Sequence, residues 1–97
     1  MKILASVFEA VEARTPYGGV NVSYEPVGSA WLKLGARRRR EKSEPGGLRA
    51  VEVVTAETRS DPRLIVGRVL RFGGADWRIQ ATETVGGRAI LMLERSR

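Results

Sequence analysis

The sequence predicts an all-β, mainly antiparallel domain: a small barrel or sandwich of about six strands, with one long charged loop that has room for a single helical turn. Three observations carry this. Short runs alternate apolar with polar residues, as half-buried strands require. Glycine pairs and a Pro-Tyr-Gly-Gly step separate those runs where tight turns belong. No stretch keeps a helical period long enough to outcompete strand, although helix competes over residues 2–14.

Residues 2–14 are β-compatible through Ile3, Val7, Phe8 and Val11, with apolar groups on both faces. Thr15-Pro16-Tyr17-Gly18-Gly19 is a turn, because proline presets φ and the glycines accept positive φ. Val20-Asn21-Val22-Ser23-Tyr24 alternates cleanly and completes a hairpin. Pro26 and Gly28 indicate a bend or bulge before the run resumes through Trp31, Leu32 and Leu34. Residues 37–47 are charge-dense and close on Pro45-Gly46-Gly47, which reads as the long loop. Residues 48–59 return to strand composition, with Val51, Val53 and Thr55 on one face and Val54 opposite. Asp61-Pro62 breaks the chain direction, and Gly67 permits the turn that follows Leu64-Ile65-Val66. Residues 68–72, 77–84 and 88–94 then form a three-stranded meander across two Gly-Gly turns. In it Leu70 and Phe72 share a face, as do Trp77, Ile79 and Ala81, and Ala89, Leu91 and Leu93.

Composition bounds the function. Ninety-seven residues make one domain (1–97) that buries only about 65% of its unfolded surface, and small domains of this kind gain from assembling with neighbours. An apolar fraction of 42% is enough for a globular core. The chain has no cysteine and no histidine, which removes disulfides, thiolate metal sites, the commonest general base and the commonest zinc ligand. Eleven acids are scattered without a pair spaced for acid–base work, and no serine sits in a G-x-S-x-G elbow. Neither G-x-G-x-x-G nor a P-loop is present. The expectation is a protein that is not an enzyme and takes no cofactor or metal. Glu9 and Glu12 interrupt the signal-like start Met1-Lys2-Ile3-Leu4-Ala5, and no apolar run is long enough to span a bilayer, so a cytoplasmic setting without membrane contact is expected.

The net charge of +6 comes mainly from arginine and favours polyanions or acidic protein faces. Arg37, Arg38, Arg39 and Arg40, with Lys42, form the sharpest local feature. They suit a phosphate-facing patch whose affinity falls steeply with salt; they equally suit a solvated loop pairing with Glu41 and Glu44. Trp31 and Trp77 suit core or interface, with base stacking as the other use; Tyr17, beside turn glycines, is a candidate for contact between subunits.

The order of features resembles the phage head–tail joining proteins, also called head-closure or stopper proteins. The resemblance runs from Tyr17-Gly18-Gly19 and Val20-Asn21-Val22-Ser23-Tyr24 to Ala30-Trp31-Leu32-Lys33-Leu34. After the charged Arg38-Arg39-Arg40-Glu41 it continues through Val51-Glu52-Val53-Val54-Thr55 and Asp61-Pro62-Arg63. It ends on Arg71-Phe72-Gly73-Gly74-Ala75-Asp76-Trp77-Arg78-Ile79 and Ile90-Leu91-Met92-Leu93-Glu94-Arg95. The arginine-rich, Ala-Asp-Trp flavour looks like the versions found in gene transfer agents. The resemblance implies a structural subunit of a closed ring, hexameric or alternatively dodecameric, in a virion or phage-like particle assembled in a bacterial cytoplasm. Its implied partners are copies of itself, an adaptor ring above, the tail terminator or tail tube below, and packaged double-stranded DNA in the channel. It also implies that the loop of residues 37–47 can point into that channel and help retain DNA; facing the adaptor ring instead, the same arginines would meet carboxylates. Read from the residues alone, the alternative is a stand-alone, small basic nucleic-acid-binding β-barrel.

Overall fold

The computed structural model describes residues 2–96 and is all-β, with no helix among them. Six antiparallel strands follow in chain order: β1 (Lys2–Arg14), β2 (Val20–Glu44), β3 (Gly47–Arg59), β4 (Val69–Phe72), β5 (Ala75–Val85) and β6 (Arg88–Ser96). They form one sheet that closes on itself in the order β1-β2-β3-β6-β5-β4. Closure rests on a short seam in which Ser6, Val7 and Phe8 of β1 pair with Arg71, Leu70 and Val69 of β4. Closing the sheet removes most of the exposed edge that an open sheet would carry.

The meander is built as its turns require. Gly73 and Gly74 have φ of +61° and +75°, and Gly86 and Gly87 have +55° and +79°. Those are the values of a type I′ turn, whose twist matches that of the strands it joins.

The core fills the closed sheet from every strand: Ala5 and Val7, Leu32, Val54 and Ala56, Leu70 and Phe72, Trp77 and Ile79, and Leu91 and Leu93. Leu64, from the β3–β4 connection, is buried with them. On β3 the core-facing set is Val54 and Ala56, so Val51 and Val53 lie on the other face, as alternation demands.

Three bulges decide which side chains point inward. The first falls between Val7 and Phe8, facing Gly28 and Pro26, and leaves Val27 as the extra residue on β2. Gly28 takes φ +151°, and a Cβ there would meet the Arg63 guanidinium. That guanidinium is held by Asp61 and lies 3.4 Å from the carbonyl oxygens of Val27 and Ser29. The second bulge takes up Gly35 and Ala36 between the pairs Leu34–Ala56 and Arg37–Val54. The third, at Gln80, turns Ala81 outward opposite Met92, so Ala81 does not share the core face of Trp77 and Ile79 that alternation predicts.

The long loop expected over residues 37–47, with its helical turn, is not there. Strand β2 runs unbroken through Arg37, Arg38, Arg39, Arg40 and Lys42 to Glu44, turns at Pro45-Gly46, and returns as β3. Arg40 pairs with Val51 and Arg38 with Val53. Two physical reasons favour strand. The valines across the ladder have strong β preference, and alternation places successive arginines on opposite faces, which separates like charges.

Candidate functional site

Strand pairing makes the chain extend at both ends of β2. Residues 41–44 and 47–50 pair only with each other, because β3 meets β6 only from Val51 onward. They form a two-stranded arm whose charges balance, Glu41 and Glu44 against Lys42 and Arg49, and the arginines 37–40 lie at its foot, within the closed sheet. At the other end, residues 9–14 and 20–25 pair only with each other and carry the turn at Tyr17. The molecule measures 46 × 31 × 24 Å along its principal axes.

The arginine cluster divides between the two faces of its strand. Beyond the second bulge, Arg37 and Arg39 share the face that is in register with core residue Val54, whereas Arg38, Arg40 and Lys42 face outward. Arg37 is consequently part of the fold. Its guanidinium carbon lies 5.4 Å from the ring centroid of Trp77, and that of Arg95 lies 5.2 Å away. Phe72 stacks on the same ring at 5.5 Å between centroids, within 4° of parallel. Arg95 is further tied to the buried Glu52 at 3.1 Å. This end of the core is closed by aromatic stacking and cations over a π face.

The outward cations have less to occupy them. Lys42 Nζ donates to the Glu94 carboxylate at 2.9 Å, and Arg49 pairs with Glu44 at 2.9 Å. Among the described residues no ion pair engages Arg38, Arg39 or Arg40. A shallow groove lined by Ala36, Arg38, Arg39, Arg40, Thr55 and Met92 runs beside them. Chemically, this surface can meet anionic oxygens at low desolvation cost.

The three candidate aromatics separate in the same way. Trp77 is 0% exposed and belongs to the core. Trp31 is 61% exposed and Tyr17 is 97% exposed, so both stand at the surface. Trp31 lines a cleft of mixed charge with Lys2, Lys33, Glu57, Arg59, Asp61 and Arg88, and its carbonyl accepts a hydrogen bond from Thr58 Oγ1 at 2.7 Å.

Two ion pairs shape neighbouring surface. The Arg63 side chain, and then its backbone N–H, donate to Asp61 and hold that carboxyl below its ordinary value of 3.8. Arg71 is likewise raised by Asp76 and lies over the Phe8 ring at 4.5 Å. Among the described residues no cluster of three or more carboxylates or other metal-ligating groups comes together. No helix is long and apolar enough to cross a membrane.

Reasoning from sequence missed one feature of this surface. Leu4 is exposed opposite Trp31, and Tyr24, Val22 and Val20 are exposed further along the same outward face of β1 and β2, an interrupted apolar stripe. The alternation of Val20, Val22 and Tyr24 was legible, but which face was covered was not.

No protein-family model and no curated protein matches the chain. Its fold does recur in a solved structure: over 98% of this chain and 94% of the other, with a TM-score of 0.75 and 20% identity, it is similar to a chain from the virion of a native gene transfer agent particle.

Proposed function

We propose that this chain is a structural subunit of the head–tail connector of a tailed phage or phage-like gene transfer agent, in the stopper or head-closure position. The observation that carries the reading is the match in fold along nearly the full length of both chains to a gene transfer agent virion component. The ordered motif series, read independently from the sequence, points to the same class of particle.

In this reading copies form a closed ring between an adaptor above and the tail below. The foot of the arm supplies Arg38 and Arg40, and the arm itself Lys42, toward the channel. A ring repeats those cations around one DNA axis, which concentrates a positive field on the packaged duplex and opposes its escape. The role of Arg37 is to close the core beneath the arm rather than to meet DNA.

The test is a clean deletion in a producing strain. Particles lacking the chain should lose packaged DNA or fail to acquire tails, and complementation should restore both. Full DNA retention with normal tail attachment in the deletion would sink the proposal.

A second reading has one observation in its favour. The exposed Trp31 ring beside Lys2, Lys33 and Arg59 is an arrangement that can stack a base and hold its phosphate. Quenching of tryptophan fluorescence by short oligonucleotides, abolished by Trp31→Ala and by raised salt, would favour a stand-alone nucleic-acid-binding domain. No quenching would remove it.

A further inference from the structure

We propose that the outward faces of β1–β2 and of β5–β6 are the two halves of a single contact between copies of this chain, joined head to tail. The inference rests on the ring reading and assigns its interface.

The first half is the stripe on β1 and β2. Register places Leu4 opposite Trp31, Ala10 opposite Tyr24, Glu12 opposite Val22 and Arg14 opposite Val20. Those pairs share the outward face, since the intervening pairs Ile3–Leu32 and Ala5–Ala30 face the core. Beyond the closed sheet the inner side of the same ribbon carries Glu9 opposite Glu25 and Val11 opposite Ser23. The distal ribbon is therefore inverted relative to a free-standing sheet, with most of its apolar side chains on the outside. The exposed apolar side chains fall in two groups, Leu4 with Trp31 and Tyr24 with Val22 and Val20, with Ser6 and Ser29 between them. Exposed apolar groups of this size on one face mark an interaction site.

The second half lies across the molecule. Strand order in the ring sets β6 and β5 opposite β1 and β2. Their outward face exposes Ile90, Met92 and Val85, and the Gln80 bulge adds Ala81 to it. Charge is matched as well. Lys2 lies directly opposite Lys33 beside the Leu4–Trp31 pair, and Glu83 lies opposite Ile90. Among the described residues none of those three charges has an ion pair. Lys33 already has Glu57 opposite it on β3, so Lys2 is the cation of the pair left without an acid across a ladder.

Geometry selects the partner. A two-fold contact uses one patch against itself; two complementary patches on opposite walls give a heterologous contact, which propagates and closes into a ring when the rotation allows. A second copy supplies both the apolar surface and, in Glu83, an acid for Lys2.

The chain has no cysteine, so introduced thiols are unique. Ser29→Cys, on the stripe, and Ala81→Cys, on the opposite wall, are combined in one chain, and purified particles are treated with a short bis-maleimide. A denaturing gel should show a ladder of multiples of this chain, whereas either single variant should show monomer only. Adding Trp31→Glu should abolish the ladder while the purified chain keeps its far-UV circular dichroism and melting temperature. Dimers from a single-cysteine variant would reveal a two-fold contact and overturn the inference. So would a chain present in particles that gives no ladder, or a ladder that survives Trp31→Glu. Absence of the chain from particles would overturn the connector reading, and this interface with it.

Discussion

Replacing Arg37 by alanine should cost stability, whereas the same change at Arg38 or Arg40 should cost almost none. The difference follows from the face each occupies. Arg37 sits 5.4 Å from the Trp77 centroid, over a ring that is wholly buried. A guanidinium over a tryptophan face contributes about 1 kcal/mol even at an exposed position such as Arg37. Truncating the side chain also uncovers part of that ring. Uncovering roughly 20–40 Å² of apolar surface at about 25 cal/mol per Å² costs a further ~0.5–1 kcal/mol. The sum is about 1.5–2 kcal/mol, which in a domain of this size lowers the melting temperature by roughly 6–15 °C. Arg38 and Arg40 are exposed strand residues without an ion pair among the described residues, and such changes stay within about 0.5 kcal/mol. Thermal unfolding followed by far-UV circular dichroism, with tryptophan fluorescence as a second probe, separates the variants. Equal shifts at all three positions, or an Arg37→Ala protein as stable as the parent, would refute the division of the cluster.

Binding should reverse that ranking. Each phosphate that Arg38 or Arg40 no longer neutralises lowers the log–log salt slope by about 0.9, which is roughly a three- to fourfold change between ~50 and ~200 mM salt, measurable by fluorescence anisotropy with duplex DNA. Arg37→Ala should leave that slope unchanged, after correction for the folded fraction. Trp77→Ala empties the best-covered site in the core and should cost about 3–5 kcal/mol by chemical denaturation. Gly28→Ala places a Cβ against the Arg63 guanidinium at a φ that side chains avoid, and should cost about 1–3 kcal/mol in the same assay. Asp61 is held below its ordinary 3.8, so its contribution is complete above that value and is lost as pH falls through its lower folded value. Asp61→Asn should therefore destabilise at neutral pH, with the difference from the parent vanishing in strong acid.

The meander of β4, β5 and β6 was legible because each turn is local: two adjacent glycines with positive φ leave few other conformations for the residues between two apolar runs. The seam between β1 and β4 was not, since it joins Val7 to Leu70 across a long stretch of sequence, and no local pattern encodes it. The arginine segment reads as a loop for a different reason. Alternation reports a strand only when one face is apolar, and at residues 38–44 both faces carry polar or charged groups, so the strand has no period to show. What identifies it is its partner, the valine-rich β3. Bulges account for the misplaced faces: Ala81 is turned out by Gln80, and Arg37 is turned in by the extra residue at Gly35-Ala36. Among the site residues, exposure of Tyr17 followed from its turn. The burial of Trp77 and the exposure of Trp31 depend on which face the closed sheet covers.

Strand β2 explains why one small chain can present two chemically different surfaces in a fixed relation. It is hydrogen-bonded from Val20 to Glu44, first to β1 and then to β3, so no flexible linker separates its ends. Its two bulges reset the outward face twice, giving Val20, Val22 and Tyr24, then Ser29, Trp31 and Lys33, then Arg38, Arg40 and Lys42. Removing one bulge residue would exchange inner and outer side chains for everything beyond it, burying arginine and exposing leucine. The same backbone that carries the apolar stripe therefore also sets the position of the arginine row and of the arm beyond it. In a ring built through that stripe, every arm emerges at one height and one angle. Cations on a loop would average over many positions, whereas cations on a continuous ladder add their fields at the same place.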